Sequence, residues 1–353
     1  MTMQKMIAML TTSAAVTVVM AASALAADIH VLNWKGYGTD EPWAIEAFEK
    51  ATGNKVINDY FNSEQEMLTK LRTNPGVYDV VMINAAFNDQ ATSEGLIQPI
   101  DVSKIPNYAD IGAEKATSPM LNHDAKVYGV PWVWGLTALA ANDKAFDKMP
   151  TSIQVMWDEA HKGKVVLRDD ALEAMQFGAI ATGQNINEIK DLDAVKAKLT
   201  SLMPQIRTFW SAENDWNQMV AGNQIDIGTY WSGSAARARK NFKLPVTFVV
   251  PEEGAVGWLD AFSIPKDSKN VEGATAFINY MIDPKFYVEW DNKVGAPVSA
   301  NTKAVAGLPA DAFNRVVMGD PKVAARIQFQ APVSDADREK YLAIWQELKV
   351  NVK

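Results

Sequence analysis

Beyond residue 27 the chain alternates short apolar runs with longer stretches of helical period. Runs over residues 29–33, 55–57, 78–83, 164–167, 226–231 and 246–250 are too short for typical helices and predict strands. Between them, residues 41–52, 64–72, 193–202, 235–240 and 270–282 carry helical spacing, as do stretches opening near Asp170 and at Ser334. For the first helix, Thr39 or Asp40 is the expected cap, Pro42 lies in the first turn and Gly53 closes it. Ala44, Ala47, Phe48 and Ala51 fall on one face of it. Pro204 stops the helix over 193–202. The last helix, with Ser334 and Asp337 as a capping pair, is expected to turn Leu342, Trp345 and Leu348 inward. Strand–helix alternation of this kind predicts an α/β fold with mostly parallel pairing.

Residues 1–26 break this pattern. Lys5 is the only charge, an apolar run spans 6–22, and Ala24-Leu25-Ala26 has the small-x-small form of a signal-peptidase site. This predicts a secretory signal peptide and a mature chain from Ala27, exported to a periplasm. No later stretch has transmembrane length.

Composition then narrows the chemistry. The 353 residues, 48% hydrophobic and 22% charged, suit about two domains at roughly 150 residues each. With no cysteine, disulfide scaffolds, Cys-ligated zinc, iron–sulfur clusters and thiol catalysis are excluded. His30, His123 and His161 are too scattered to suggest a metal site, and no cofactor is expected. A net charge of −8 argues against a general nucleic-acid binder. Enzyme signatures are weak. Ser232-Gly233-Ser234 lacks the elbow glycine two residues before a nucleophile, and Gly36-x-Gly38 lacks the third glycine of a dinucleotide loop.

Chemistry concentrates after the predicted strands, where ligands gather in α/β sheets. Trp34 to Tyr37, Asn84 to Phe87, Arg168 to Glu173, Tyr230 to Ser234, and Trp258 to Asp260 mix rings with carboxylates. Rings give cation–π attraction and apolar walls, and carboxylates hold ammonium groups. Asp170 and Glu173 have a second reading, as acids that favour a helix N-terminus. Lys35 reads as a solvated charge, and Arg237, Arg239 and Lys240 as a solvated helix face.

The ordered set of these segments resembles the polyamine-type extracellular solute-binding proteins of bacterial ABC importers. It includes Asn33-Trp34 with Tyr37, Phe48-Glu49-Lys50-x-Thr52-Gly53, Tyr78-Asp79-Val80-Val81 and Pro131-x-x-Trp134-Gly135. It continues with Asp169-Asp170-Ala171-x-Glu173, Trp231-x-Gly233-Ser234, Pro251-x-Glu253-Gly254, Trp258-x-Asp260 and Ile264-Pro265. The resemblance implies a type II periplasmic-binding fold, α/β in class, closing like a hinge on its ligand. Lobe 1 would hold 28–134 plus 260–300, and lobe 2 would hold 135–259 plus 301–353. The crossings would lie near 134–137, 258–260 and 295–301.

By the same resemblance, Trp34, Tyr37, Asp170, Glu173, Trp231, Trp258 and Asp260 are ligand contacts, with Asn84 where the family has serine. The rings would sandwich an alkyl chain and the acids would hold its ammonium groups. Three further departures remove contacts: Gly36 replaces an acid, and Ala86 and Ala296 replace aromatics. The implied ligand is a small amine-bearing solute, either putrescine or spermidine or an ω-amino acid such as γ-aminobutyrate. In the second case Arg168, Arg207 or Arg237 would take the carboxylate, with Trp210 and Ser211 as loop contacts. The implied partner is an inner-membrane ABC permease, and the receptor is expected to be a monomer without enzymatic activity. The competing readings keep the binding fold for an opine, an anion or thiamine, or turn it into a periplasmic enzyme.

Overall fold

The computed structural model of the protein describes residues 28–316, 319–350 and 352. The expected signal peptide, residues 1–26, lies outside the described residues. Eight principal strands form one curled sheet: β1 (Asp28–Asn33), β2 (Lys55–Tyr60), β3 (Val80–Asn84), β4 (Val130–Asn142), β5 (Val165–Arg168), β6 (Ile206–Trp210), β7 (Ile227–Trp231) and β8 (Ala255–Pro265). Their order is β2-β1-β3-β8-β4-β7-β5-β6, and four short strands join them. The helices that bear on function are α1 (Pro42–Thr52), α2 (Glu64–Thr73), α3 (Ala85–Ser93), α4 (Ala171–Ala181), α5 (Glu213–Ala221), α6 (Ser232–Lys240) and α7 (Asp335–Lys349).

The expectation of mostly parallel pairing needs correction. β1 pairs parallel with β2 and β3, and β5 with β6 and β7. Between these sets, β4 and β8 run antiparallel to each other and to β7 and β3. Both are long, with 13 and 11 residues, and buried almost throughout. A strand covered on both faces shows no alternation, so its polarity and length are hard to read from pattern.

The two largest hydrophobic cores flank this central pair. Phe48, Trp132, Phe262, Phe277 and Trp290 belong to the first, around β1 to β3. Leu139, Leu167, Met175, Leu199, Ile227 and Trp345 belong to the second. β4 gives Trp132 and Val133 to the first core and Leu139 and Ala141 to the second. β8 likewise gives Trp258 and Phe262 to the first and Val256 to the second.

Helix ends follow the pattern with small exceptions. α1 starts after Glu41 without a side-chain cap. Thr39 instead accepts from Asn33 Nδ2 at 3.0 Å, and Asp40 from the Gly36 N–H at 2.8 Å. Gly53, at φ 77°, closes the helix. Only Ala44 and Phe48 are buried on it; Ala47 and Ala51 are exposed. In α7 the buried stripe is Tyr341, Trp345 and Leu348, the i, i+4, i+7 set, and Leu342, one step round, is 51% exposed.

Candidate functional site

The carboxyl ends of the parallel strands from both cores open into one cleft of about 1030 Å³. This is where an open α/β sheet exposes loops and helix N-termini to a ligand. Trp34 and Tyr37 follow β1, Asn84 ends β3, Arg168 ends β5 and Trp231 ends β7. Trp258 and Asp260 come from the middle of β8. All eight residues expected to touch ligand line this cleft: Trp34, Tyr37, Asn84, Asp170, Glu173, Trp231, Trp258 and Asp260.

Asp260 is the most constrained acid. It is 6% exposed and lies opposite Asn84 in the β3–β8 register, beside a bulge against β4. Tyr37 donates its hydroxyl to Oδ2 at 2.8 Å, and Asn84 donates its amide to Oδ1 at 3.2 Å. Both donors are neutral. Burial pushes the carboxyl up to about 7, against the downward pull of those two bonds. Burial, and then the Asp260 charge, also raise the Tyr37 phenol well above its ordinary value. The Tyr37 ring is held edge-on by Trp132 at 5.2 Å and Trp290 at 6.1 Å. Gly38, at φ 87°, lets the preceding turn lie flat on Trp290, where a β-carbon would sit 3.0 Å from the ring.

This arrangement makes binding of a cation pH-dependent. An ammonium favours the ionised carboxylate, so binding below about pH 7 releases a proton. Affinity is then full above that value and falls by up to about tenfold per pH unit below it. Calorimetric titration from pH 5 to 8 checks this, and a flat profile would remove Asp260 from cation binding.

On the opposite wall the acids are differently occupied. Asp170 caps α4, accepting from the Glu173 N–H at 3.0 Å, while still lining the cleft. It therefore caps a helix and faces the cleft at once. Glu173 Oε1 accepts from Arg168 Nη1 at 2.6 Å and from the Trp231 indole at 3.1 Å. Its Oε2 is buried without a partner. Burial raises the Glu173 carboxyl, with Arg168 opposing and Asp170 assisting. The Arg168 guanidinium lies 4.7 Å from the centre of the Trp231 ring and 3.7 Å from Asp170. Arg168 and Glu173, expected as separate ligand contacts, thus hold each other.

Arg237 corrects a further expectation, because it is 7% exposed rather than a solvated helix face. Its Nε donates to Glu213 at 3.2 Å, and its Nη2 donates to Glu213 and to Ser234, the latter at 2.9 Å. Its Nη1 is buried with no partner, and the residue lines the cleft. Burial raises the Glu213 carboxyl, but Arg237 outweighs it and holds the group below its ordinary range. Arg239 stays on the surface with Asp143 at 2.7 Å, while the half-buried Lys240 donates to the Asp291 carbonyl. Arg207 lies outside the cleft, exposed and bonded to Gln224. Its strand turns that side chain to solvent. Trp210 is fully buried and braces Trp231 edge-on at 5.0 Å, so only Ser211 of that pair lines the cleft. Lys35 is exposed at the rim.

The aromatic walls are set by close packing. Trp34 is half-buried, with its ring 4.6 Å from Phe61. Trp258 lies across β4 at Gly135, where any side chain would collide with the indole. Its Nε1 is buried without a partner.

Sequence reasoning missed Glu64, Phe61, Glu213 and Arg338, all of which line the cleft, as does Phe87 from the expected segment after β3. Phe61 and Glu64 sit just past the end of β2, at the same edge of the sheet as Trp34. That position after a strand was the available signal. Arg338, on α7, reaches α3 on the other core. It donates to Gln90 Oε1 at 2.8 Å, and its guanidinium lies 5.0 Å from the centre of the Phe87 ring.

Known proteins are similar to this chain in sequence and in fold. Residues 43–323 match the family described as bacterial extracellular solute-binding protein. A spermidine/putrescine-binding periplasmic protein of Salmonella typhimurium is 32% identical over 326 residues, covering 91% of each chain. The putrescine-binding periplasmic protein PotF of Escherichia coli is 28% identical, covering 84% of this chain and 88% of its own. Both are named as binding proteins rather than enzymes. The solved spermidine/putrescine ABC transporter substrate-binding protein PotD of Streptococcus pneumoniae superposes with a TM-score of 0.80 at 24% identity, covering 93% of this chain and all of its own. That likeness fits the two-lobed α/β architecture. With a family match over most of its length, two cores on one sheet and a ring-lined acidic cleft between them, the chain belongs to the bacterial extracellular solute-binding proteins.

Proposed function

We propose that the protein is the periplasmic receptor of an ABC importer and captures a linear di- or polyamine in this cleft. The observation that carries the reading is Asp260, a buried carboxylate among aromatic rings whose bonded partners are all neutral. An uncompensated buried charge is costly, and an ammonium ligand removes that cost. The charge count agrees. Arg168 offsets Glu173 and Arg237 offsets Glu213, which leaves Asp260, Asp170 and Glu64 facing the cleft for the ligand's cations. Trp34, Tyr37, Trp231 and Trp258 supply walls for the methylenes between them.

The lobes, 28–134 with 260–300 and 135–259 with 301–353, are built on these two cores, except that Trp258, Ala304 and Leu308 pack into the first, and they bend where β4, β8 and residues 295–301 pass between them. The receptor works as a monomer, hands its ligand to an inner-membrane permease and turns over no substrate. Arg338 latches the closed form. Arg338→Ala removes two bonds to the Val333 carbonyl close by in the chain and, across to α3, one hydrogen bond and one cation–π contact worth about 1 kcal/mol together, so it should speed ligand release roughly fivefold. Stopped-flow tryptophan fluorescence reads that rate, and an unchanged rate would retire the latch.

A second reading rests on Arg237 Nη1, a buried cationic donor without a partner. It favours a ligand with a carboxylate at one end, such as γ-aminobutyrate. A thermal-shift and calorimetry panel of putrescine, spermidine, γ-aminobutyrate, an opine, sulfate and thiamine separates these readings. Ligand at a hundredfold excess over Kd raises stability by about 2.7 kcal/mol. Putrescine or spermidine should give the largest shifts. A response to sulfate or thiamine alone would overturn the amine reading.

A further inference from the structure

Glu64 occupies the first position of α2, directly after the loop that leaves β2. It is not engaged in capping that helix. Ser63 accepts from the Glu66 N–H at 3.2 Å, and Glu66 in turn accepts from the Asn62 N–H at 2.9 Å. Glu64 instead lines the cleft, with Oε2 shielded from solvent and without a hydrogen-bond partner. Burial and then the Asp260 charge raise its carboxyl well above the ordinary range. The Asn84 backbone N–H and Arg168 oppose this rise, and Asp170 adds to it. Asn84 therefore serves both acids, its backbone facing Glu64 and its side-chain amide donating to Asp260. Gly36 presents no side chain, so that position of the loop after β1 offers the ligand no acid.

We propose that Glu64 is a specificity-determining residue of the cleft: with Asp260 it forms a two-carboxylate subsite on the first core that selects ligands carrying two or more ammonium groups. The inference rests on the amine reading above and deepens it. Two neighbouring carboxylates cannot both ionise cheaply beside a single positive charge. A dication or trication stabilises both, whereas a zwitterion brings a carboxylate of its own and stabilises at most one.

Glu64→Gln keeps the shape and removes the charge. Its affinity for putrescine and spermidine should fall at least tenfold, while that for γ-aminobutyrate should change no more than about twofold. Titration in two buffers of different ionisation enthalpy at pH 7 should show fewer protons released per putrescine bound than in the wild type. A packing role alone would not alter that proton count. Glu64→Asp, which keeps the charge, should retain the preference for diamines and guards against a Glu64→Gln protein that fails to fold. Unchanged amine affinities and proton release in folded Glu64→Gln would overturn the proposal. A wild-type protein that binds neither amine would overturn the amine reading and this subsite together. Wild-type binding with an unaffected variant overturns only the role of Glu64.

Discussion

Asp260→Ala should abolish amine binding while leaving the protein folded. Leaving the ligand's buried ammonium without its partner costs about 3–5 kcal/mol, roughly a hundred- to several-thousandfold in Kd. Free-state stability moves the other way at neutral pH. The folded carboxyl sits near 7, above its ordinary 3.8. A group raised in the folded state contributes stability that is present below its unfolded value and lost as pH rises through the folded one. Deleting Asp260 removes that loss, so the unliganded variant should melt at or above the wild-type temperature at pH 8. Asp260→Asn isolates charge from shape and should lose nearly as much affinity. Calorimetric titration with putrescine and spermidine reads the first effect, and scanning calorimetry the second. Wild-type affinity in either variant would take Asp260 out of the site.

Trp290→Ala should cost the largest amount of stability, about 3–5 kcal/mol in urea unfolding. The ring is fully buried, stacked on Trp132 at 5.4 Å and on Phe286 at 5.8 Å. It also forms one wall of the slot that holds Tyr37. Its loss should therefore weaken ligand binding as well, because the Tyr37 hydroxyl would no longer be held on Asp260. A stability change below about 1 kcal/mol would show that the first core closes over the gap.

The cleft was legible where local signals coincide. Trp34, Tyr37, Trp231, Trp258 and Asp260 each combine a ring or an acid with the end or middle of an apolar strand, and the structure gathers all of them on one cavity. The burial of Arg237, a candidate carboxylate partner, was not legible, because a basic helix end looks solvated until Glu213, distant in sequence and on another helix, is brought beside it. Glu64 was hidden by its neighbours, since Ser63 and Glu66 read as an ordinary helix start. The resemblance supplied the acid missing at Gly36 as a loss, and only the folded chain places another carboxylate in the same cleft. Alternation of apolar runs and helical spacing gave the α/β class. β4 and β8, absent from the expected strands, escaped together with their reversed direction, because a strand buried on both faces shows neither alternation nor a mark of its direction.

That central pair of strands has a consequence for how the molecule can be divided. Each core takes its residues from stretches on both sides of the other in the chain. No single cut therefore separates one core from the other, and neither core is drawn from one unbroken segment. Two cores in space are, along the chain, one interleaved piece.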